Sequence, residues 1–309
     1  MSTLYYTHPA CLDHEMGAGH PERPDRLRAI NRILEGEAYL HLHRVEAPRA
    51  DRALIEKVHP DWYVDDILEN VPAQGHRHLD PDTALCPHTP EAALRSAGAM
   101  IDAVEQVMAG KARNAFCGVR PPGHHAEPEH AMGFCFFANA AIGALHAHES
   151  CGAERVAVVD FDVHHGNGTQ AICENYPYML YASTHQAGAY PGTGATSDRG
   201  KHDNVCNHPL DPGSGSEDFR RAYEDVIFPK IRQWKPDLLI ISAGFDAHAK
   251  DPLAYLRLQD EDFGWVTEGL LTIADDCCDG RAVSVLEGGY DLTGLAGGVA
   301  AHVSALMGH

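Results

Sequence analysis

Four short apolar runs, each ending in a polar, glycine-rich turn, set the strongest constraint on this chain. Ala115 to Val119 leads into Arg120-Pro-Pro-Gly-His124-His125, and Val156 to Val159 leads into the stretch Asp160 to Gly168. Leu238 to Ser242 leads into Ala-Gly-Phe-Asp246, and Ala282 to Leu286 into Glu287-Gly-Gly-Tyr290. Unbroken apolar runs of this length suit strands buried on both faces, and strands alternating with helical patterns build a mostly parallel sheet with helices on both faces. Leu4 to Thr7 and Met179 to Ser183 are further strands of the same kind. The expected fold class is α/β, as one domain over residues 1–309 with no internal repeat or linker. In such sheets ligands gather beyond the carboxyl ends of the strands, so the four turns converge on one cleft.

The intervening segments carry helical periodicity. One helix is expected with Thr89 as N-cap and Pro90 in the first turn, running through Leu94, Ala97, Ile101, Val104 and Met108 to a stop at Gly110. A second starts after Ser216 and places Phe219, Tyr223, Val226, Ile227, Ile231 and Trp234 on one stripe, with a kink expected at Pro229. Both serve packing.

Charge narrows the range of partners. With 24 basic and 44 acidic residues the net charge is −20, which opposes direct attachment to nucleic acid or to anionic lipid and better suits a cationic amine or lysine-rich peptide. The same acidity also serves solubility alone. No run approaches the roughly 18 apolar residues of a membrane span, and Met1-Ser-Thr-Leu-Tyr-Tyr lacks the basic start of an export signal. The nine cysteines include no Cys-x-x-Cys pair and are odd in number, as expected for reduced thiols in the cytoplasm.

Asp162 and His164 are two apart in an extended segment, so their side chains point the same way and can grip one metal ion at about 2.0–2.2 Å. Asp246 completes a three-ligand set that leaves a position for water. Asp160 shares the same face, but a fourth protein ligand would close the site, so it is expected to orient a histidine or to hold a separate hard cation. A hydrogen-bonded strand end is the plainer alternative, yet charges gathered beyond a buried strand are costly without a counterion. His124 and His125 suit the movement of one proton off an attacking water and another onto a leaving amine. Among 22 histidines a His-His pair is more often surface decoration, and only its place at a strand end raises this one above His41, His43, His146 and His148. Tyr290, after two glycines, can aim a phenol at a developing oxyanion. Phe134 and Tyr190 can wall an aliphatic chain, although core packing is the default for such residues.

Taken in order and spacing, Arg120-Pro-Pro-Gly-His-His-Ala126, Gly133-Phe-Cys-Phe-Phe, Asp160 to Thr169, Ser242 to Asp246 and Glu287-Gly-Gly-Tyr290 resemble the histone deacetylase family of zinc amidohydrolases. His20-Pro-Glu-Arg-Pro and Val58-His59 through Tyr63-Val64 match the family's amino-terminal pattern. The resemblance implies the arginase-deacetylase fold and hydrolysis of an acylated amine, first of all acetyl-lysine in a peptide. It places the zinc ligands on Asp162, His164 and Asp246, with ferrous iron as the cellular alternative, and the proton carriers on His124 and His125, with His125 the principal one. It places the carbonyl-polarising phenol on Tyr290, a carbonyl for the substrate amide on Gly133, and tunnel walls on Phe134 and Tyr190. It also implies a structural potassium ion at Asp160 with backbone around Asp162, His164, Ser183 and Thr184.

Three positions narrow the branch. Asn167 stands where class I members carry an aspartate, so the chain resembles class II and the bacterial deacetylase-like amidohydrolases, and His125 is expected to lack a charged partner. Tyr190 replaces the commoner phenylalanine. Leu253 stands where polyamine-specific relatives place a glutamate, which favours acyl-lysine over acetylpolyamines. The family's rim aspartate falls near Asp80 or Asp82. The alternatives are an acetylpolyamine or small-metabolite amidohydrolase, an arginase-like dimanganese ureohydrolase, and a non-catalytic binder of acylated ligands. The ureohydrolase needs more carboxylates and has no use for His124, His125 and Tyr290 together, and turnover that vanishes in Tyr290→Phe would exclude the binder.

Overall fold

The computed structural model describes residues 2–308. Among the described residues there are ten strands: β1 (Thr3–Thr7), β2 (His43–Glu46), β3 (Arg77–Asp80), β4 (Thr83–Leu85), β5 (Asn114–Cys117), β6 (Val156–Asp160), β7 (Met179–Gln186), β8 (Val205–Leu210), β9 (Leu238–Ala243) and β10 (Ala282–Leu286). The helices are α1 (Asp25–Leu34), α2 (Arg52–Ile55), α3 (Asp61–Leu68), α4 (Thr89–Met108), α5 (Asn139–Cys151), α6 (Asn167–Cys173), α7 (Ser216–Ala222), α8 (Phe228–Trp234), α9 (Asp260–Cys278) and α10 (Leu292–Met307). Eight strands form one sheet in the order β2-β1-β5-β10-β9-β6-β7-β8, and every pairing in it is parallel. The remaining two, β3 and β4, make a small antiparallel hairpin. A mostly parallel sheet with helices on both faces meets the expected α/β class.

The apolar strand runs are continuous because both faces are covered. Phe116, Ala157, Val159, Leu239, Ile241 and Ala282 pack in one core with α1, α9 and α10, whereas Ala115, Cys117, Val156, Val158, Leu238, Ile240, Val283 and Val285 pack in another with α4 and α5. Successive strand residues point to opposite faces, so these alternate sets require two cores.

One local expectation is corrected. Thr89 begins the helix α4 rather than capping it: His88 precedes the first turn, and Thr89 Oγ1 accepts from the backbone N–H of Cys86 at 2.8 Å. At Pro229 the helical run is interrupted by a widened turn. A π-turn over Tyr223–Ile227, in which Phe228 N–H reaches the Tyr223 carbonyl, joins α7 to α8 and makes room for a proline ring that a tight α-turn would exclude. The nine cysteines are free thiols, and among the described residues no helix is long and apolar enough to cross a membrane.

Candidate active site

Strands β5, β10, β9 and β6 are consecutive in the sheet. They are the four whose ends carry the glycine-rich turns, so parallel pairing delivers the four turns side by side. The register sets Asp160 opposite both Ser242 and Ser183.

Asp162, His164 and Asp246 come together, buried, with one candidate ligand atom from each lying within 4.8 Å of the others. His164 Nδ1 is 3.1 Å from Asp162 Oδ1 and 3.1 Å from Asp246 Oδ2. Backbone holds the carboxylates in place: Gly288 N–H donates to Asp162 Oδ2 at 2.7 Å and Val163 N–H to Asp246 Oδ1 at 2.9 Å. A Cβ on Gly244 would lie 2.1 Å from Asp162 Oδ2, and one on Gly288 would lie 2.0 Å from Asp246 Oδ2, so the site is built through close backbone approach. Burial and the neighbouring Asp162 carboxylate push Asp246 up to about 7. Burial pulls His164 down, but its bonds to Asp162 and Asp246 outweigh this and lift it to about 10. Two buried carboxylates sharing one imidazole are costly without a cation, and the donor set fits a divalent ion with three protein ligands and a position open to the adjoining cavity.

The tandem histidines stand beside this cluster with ring centroids 4.0 Å apart, and His125 is 6.0 Å from His164. Their surroundings differ. His124 Nδ1 faces Asp160 Oδ2 at 3.0 Å; burial lowers this imidazole, but the charges of Asp162 and Asp160 hold it well above the usual histidine range. His125 Nδ1 faces Asn167 Oδ1 at 2.8 Å, and burial, reinforced by His124 and His164, pulls it well below that range. Side by side, the pair offers a charged imidazolium and a neutral base. Glu287 holds the turn that leads into the pair: its Oε2 accepts the backbone N–H of Gly123 at 2.8 Å and of His124 at 3.0 Å, while Oε1 accepts from Ser242 Oγ at 3.0 Å.

A cavity of about 230 Å³ opens onto the cluster, lined by Asp82, His125, Gly133, Phe134, His164, Tyr190, Leu253 and Tyr290. Phe134 meets Tyr290 edge-on at 5.8 Å, and Tyr190 meets His125 edge-on at 5.1 Å. Phe134 adopts a left-handed backbone (φ 71°), which for a bulky residue needs support. The hairpin turn between β3 and β4 supplies it: Thr83 Oγ1 accepts from Phe134 N–H at 2.9 Å, and Asp82 Oδ1 accepts from Gly133 N–H at 3.1 Å. Tyr290 is placed by Asp251, whose Oδ2 accepts its N–H at 2.7 Å, and by Arg26, whose guanidinium sits 4.9 Å from the ring centre. Burial and the Asp246 charge hold the Tyr290 phenol well above its ordinary range, so it stays a proton donor.

The structure therefore gathers His124, His125, Asp160, Asp162, His164, Asp246 and Tyr290 at one point, with Gly133, Phe134, Tyr190 and Leu253 lining the approach. Ser183 and Thr184 lie buried on β7 beside Asp160, where their hydroxyls bond His185 and Tyr223. As expected, His125 has no charged partner at Nδ1: it faces the neutral Asn167 amide, which donates in turn to Glu127 Oε1 at 2.7 Å. Of the two candidate rim aspartates, Asp82 lines the cavity. Glu127, Glu287, Asp251 and Arg26 escaped the sequence reading as site residues. Only Glu287, inside the Glu-Gly-Gly-Tyr turn, carried a visible signal.

Comparison with known proteins agrees with this geometry. The family model of the histone deacetylase domain matches residues 20–306. The chain is 41% identical to a histone deacetylase-like amidohydrolase of Pseudomonas aeruginosa, over 88% of this chain and 73% of that one. It is 36% identical to the chloroplastic histone deacetylase 14 of Arabidopsis thaliana, over 99% and 77%, and 42% identical to an uncharacterized protein of Synechocystis sp., over 96% of each. The crystal structure of the HDA15 HD domain superposes with a TM-score of 0.94 at 36% identity, covering 100% of this chain and 90% of that one.

Proposed function

The chain belongs to the histone deacetylase family and is a deacetylase hydrolase, and from that premise we propose that it removes acetyl or other short acyl groups from acylated amines, acetyl-lysine first among them. The observation that carries this reading is one cavity lined by His125, Tyr290 and His164 together with Phe134 and Tyr190, in which His164 joins the cavity to the Asp162–His164–Asp246 cluster. Asp162, His164 and Asp246 would hold zinc, or ferrous iron in the cell. Such an ion, when bound, polarises the amide carbonyl and makes a water acidic enough to attack it.

The chain's own groups do the rest. His125, kept neutral by burial, takes a proton from the attacking water at Nε2 and later returns it to the leaving amine. His124, kept charged by Asp162 and Asp160, stabilises negative charge as it develops. Tyr290 donates its phenolic O–H to the carbonyl oxygen as that oxygen becomes an oxyanion, and the Gly133 carbonyl accepts the substrate N–H. Phe134 and Tyr190 flank the alkyl stem, and Leu253 covers the mouth with an apolar rather than a charged side chain. A potassium ion at Asp160 and the backbone of Asp162, His164, Ser183 and Thr184 would stiffen the strand ends. The protein would act in the cytoplasm as one catalytic domain over residues 1–309.

A second reading, hydrolysis of acetylpolyamines, draws support from Asp82 in the cavity wall and from the net charge of −20. Measuring kcat/KM of the zinc-loaded protein on an acetyl-lysine peptide and on acetylspermidine, with Tyr290→Phe as control, separates the two. Peptide preference supports the first, polyamine preference the second, and equal activity of the control overturns both.

A further inference from the structure

The environment of Asn167 carries an inference about Glu127. Asn167 opens α6, and the next residue, Gly168, packs so closely on the 126–127 backbone that a Cβ there would lie 2.1 Å from the Ala126 carbonyl oxygen. Glu127 starts a turn closed by its own N–H to the His130 carbonyl at 3.0 Å and by the returning bond at 3.4 Å. That turn carries the Glu127 side chain to the Asn167 amide nitrogen, 2.7 Å from Oε1. The second proton of the same nitrogen faces Met132 Sδ at 3.4 Å.

We propose that Glu127 is a positioning residue for the hydrolysis: by fixing the orientation of the Asn167 amide, it fixes which nitrogen of His125 is the free base. The proposal rests on the reading of His125 as the proton carrier. A carboxylate only accepts hydrogen bonds, and so does a thioether, so the two neighbours on that side require the NH₂ end of Asn167. The carbonyl end then faces His125 Nδ1, at 2.8 Å. An amide oxygen accepts and cannot donate, so Nδ1 must carry the ring proton and Nε2 is left with its lone pair. With the amide reversed, its N–H would face Nδ1, the ring proton would move to Nε2, and the Asn167 oxygen would meet the Glu127 carboxylate lone pair to lone pair. Nothing else around the amide distinguishes its two ends so strongly, because charge-assisted bonds are about twice as strong as neutral ones. Glu127 touches no reacting atom, yet it selects the tautomer that can react.

The test uses exchange of donor and acceptor. In Glu127→Ala the amide is free to turn, and kcat should fall about tenfold or more with KM within about twofold, a fraction of what a positioned base contributes. Glu127→Gln keeps an acceptor for Asn167 and should stay within about threefold of the parent kcat. Asn167→Asp alone sets two carboxylates in contact and should lose more than tenfold, whereas Asn167→Asp combined with Glu127→Gln restores a donor to the pair and should recover most of that loss. Nitrogen-15 chemical shifts of the His125 ring, assigned by comparison with His125→Gln, read the tautomer without turnover: Nδ1–H in the parent and a mixture in Glu127→Ala. Unchanged kcat and shifts in Glu127→Ala, or simple additivity in the double variant, would overturn the inference. A fully active His125→Gln would instead overturn the assignment of the base, while the shifts still report on Glu127.

Discussion

Asp160 Oδ2 lies 3.0 Å from Nδ1 of His124, and this contact makes two adjacent imidazoles chemically unequal. His125, one residue on, faces a neutral amide at 2.8 Å. Against the pull of burial, the charges of Asp162 and Asp160 hold His124 high, while burial and the two neighbouring imidazoles hold His125 low. The neutral ring is the one able to accept a proton. His125→Ala should therefore lower kcat by about 10³ and His124→Ala by roughly tenfold to a hundredfold, within the range for positioned acids and bases. Steady-state rates on an acetyl-lysine peptide decide it, and the opposite order would reverse the assignment of base and imidazolium.

Tyr290 is held from three sides, by Asp251 at its backbone, Arg26 over its ring and Phe134 at its edge. Its phenol is kept protonated by burial, and under the proposed function it would be a donor whose value appears only as charge grows on the carbonyl oxygen. Tyr290→Phe should cost about 10²–10³ in kcat with little change in KM. A loss confined to KM would mean that the phenol only binds substrate.

Legibility from sequence followed burial. Strand β10 matches the expected Ala282 to Leu286 at both ends, and β6 and β9 differ from expectation by one residue each, because a strand covered on both faces writes an unbroken apolar run. The edge strands β2 and β8 left no such mark. β2 is His-Arg-Val-Glu, mostly exposed, and β8 contains Pro209, which an edge tolerates and a central strand does not. The Asp160, Asp162 and His164 set was legible as a group, but the extended segment expected to align it stops at Asp160; Asp162 and His164 lie in the bends beyond β6, where Asp162 N–H donates to Asp160 Oδ1 and His164 N–H to Asp162 Oδ1. Sequence does not separate Asp82 from Asp80, because Asp82 reaches Gly133 from a hairpin 51 residues away, and Glu127 carries no signal, because its partner, Asn167, is 40 residues on. Contacts of that kind are products of the tertiary fold and have no periodicity to read.

The ligand cluster depends on glycines as much as on its carboxylates. A Cβ on Gly288 would sit 2.0 Å from Asp246 Oδ2 and 2.5 Å from Asp162 Oδ2. Gly288→Ala should therefore displace both carboxylates and lose the metal, while the strand beneath it, β10, stays in place. Metal content after zinc loading, read by elemental analysis, should fall from about one equivalent to well below half. Removing zinc with a chelator should lower Tm in the parent, since a ligand at a thousand times its Kd stabilises by about 4 kcal/mol, and should leave the variant's Tm unchanged. Full metal content in Gly288→Ala would show that the cluster is not the binding site.

Stability should fall in mild acid, and His302 gives the cleanest case. It lies in the core under β10, with Nδ1 2.6 Å from Thr267 Oγ1 and Nε2 2.8 Å from Ser284 Oγ. Thr267 spends its own proton on the Phe263 carbonyl and so accepts from Nδ1–H, while Ser284 donates to Nε2, which satisfies a neutral ring and leaves no anion for a charged one. Burial holds His302 down at about 3, and it holds His14 and His59 at about 3 and about 4. An unfolded histidine titrates near 6.5. Above that pH both states are neutral and these residues leave stability independent of pH. As pH falls below it the unfolded chain gains protons that the folded chain refuses, and stability drops until the folded values are reached. For each such residue the slope between about pH 6 and pH 4 is roughly 1.4 kcal/mol per pH unit. Urea unfolding from pH 7 to pH 4.5 should show a steep loss in the parent, and His302→Gln, though less stable at pH 7, should show a slope shallower by about that amount. Parallel slopes in the two proteins would place the acid sensitivity in other groups.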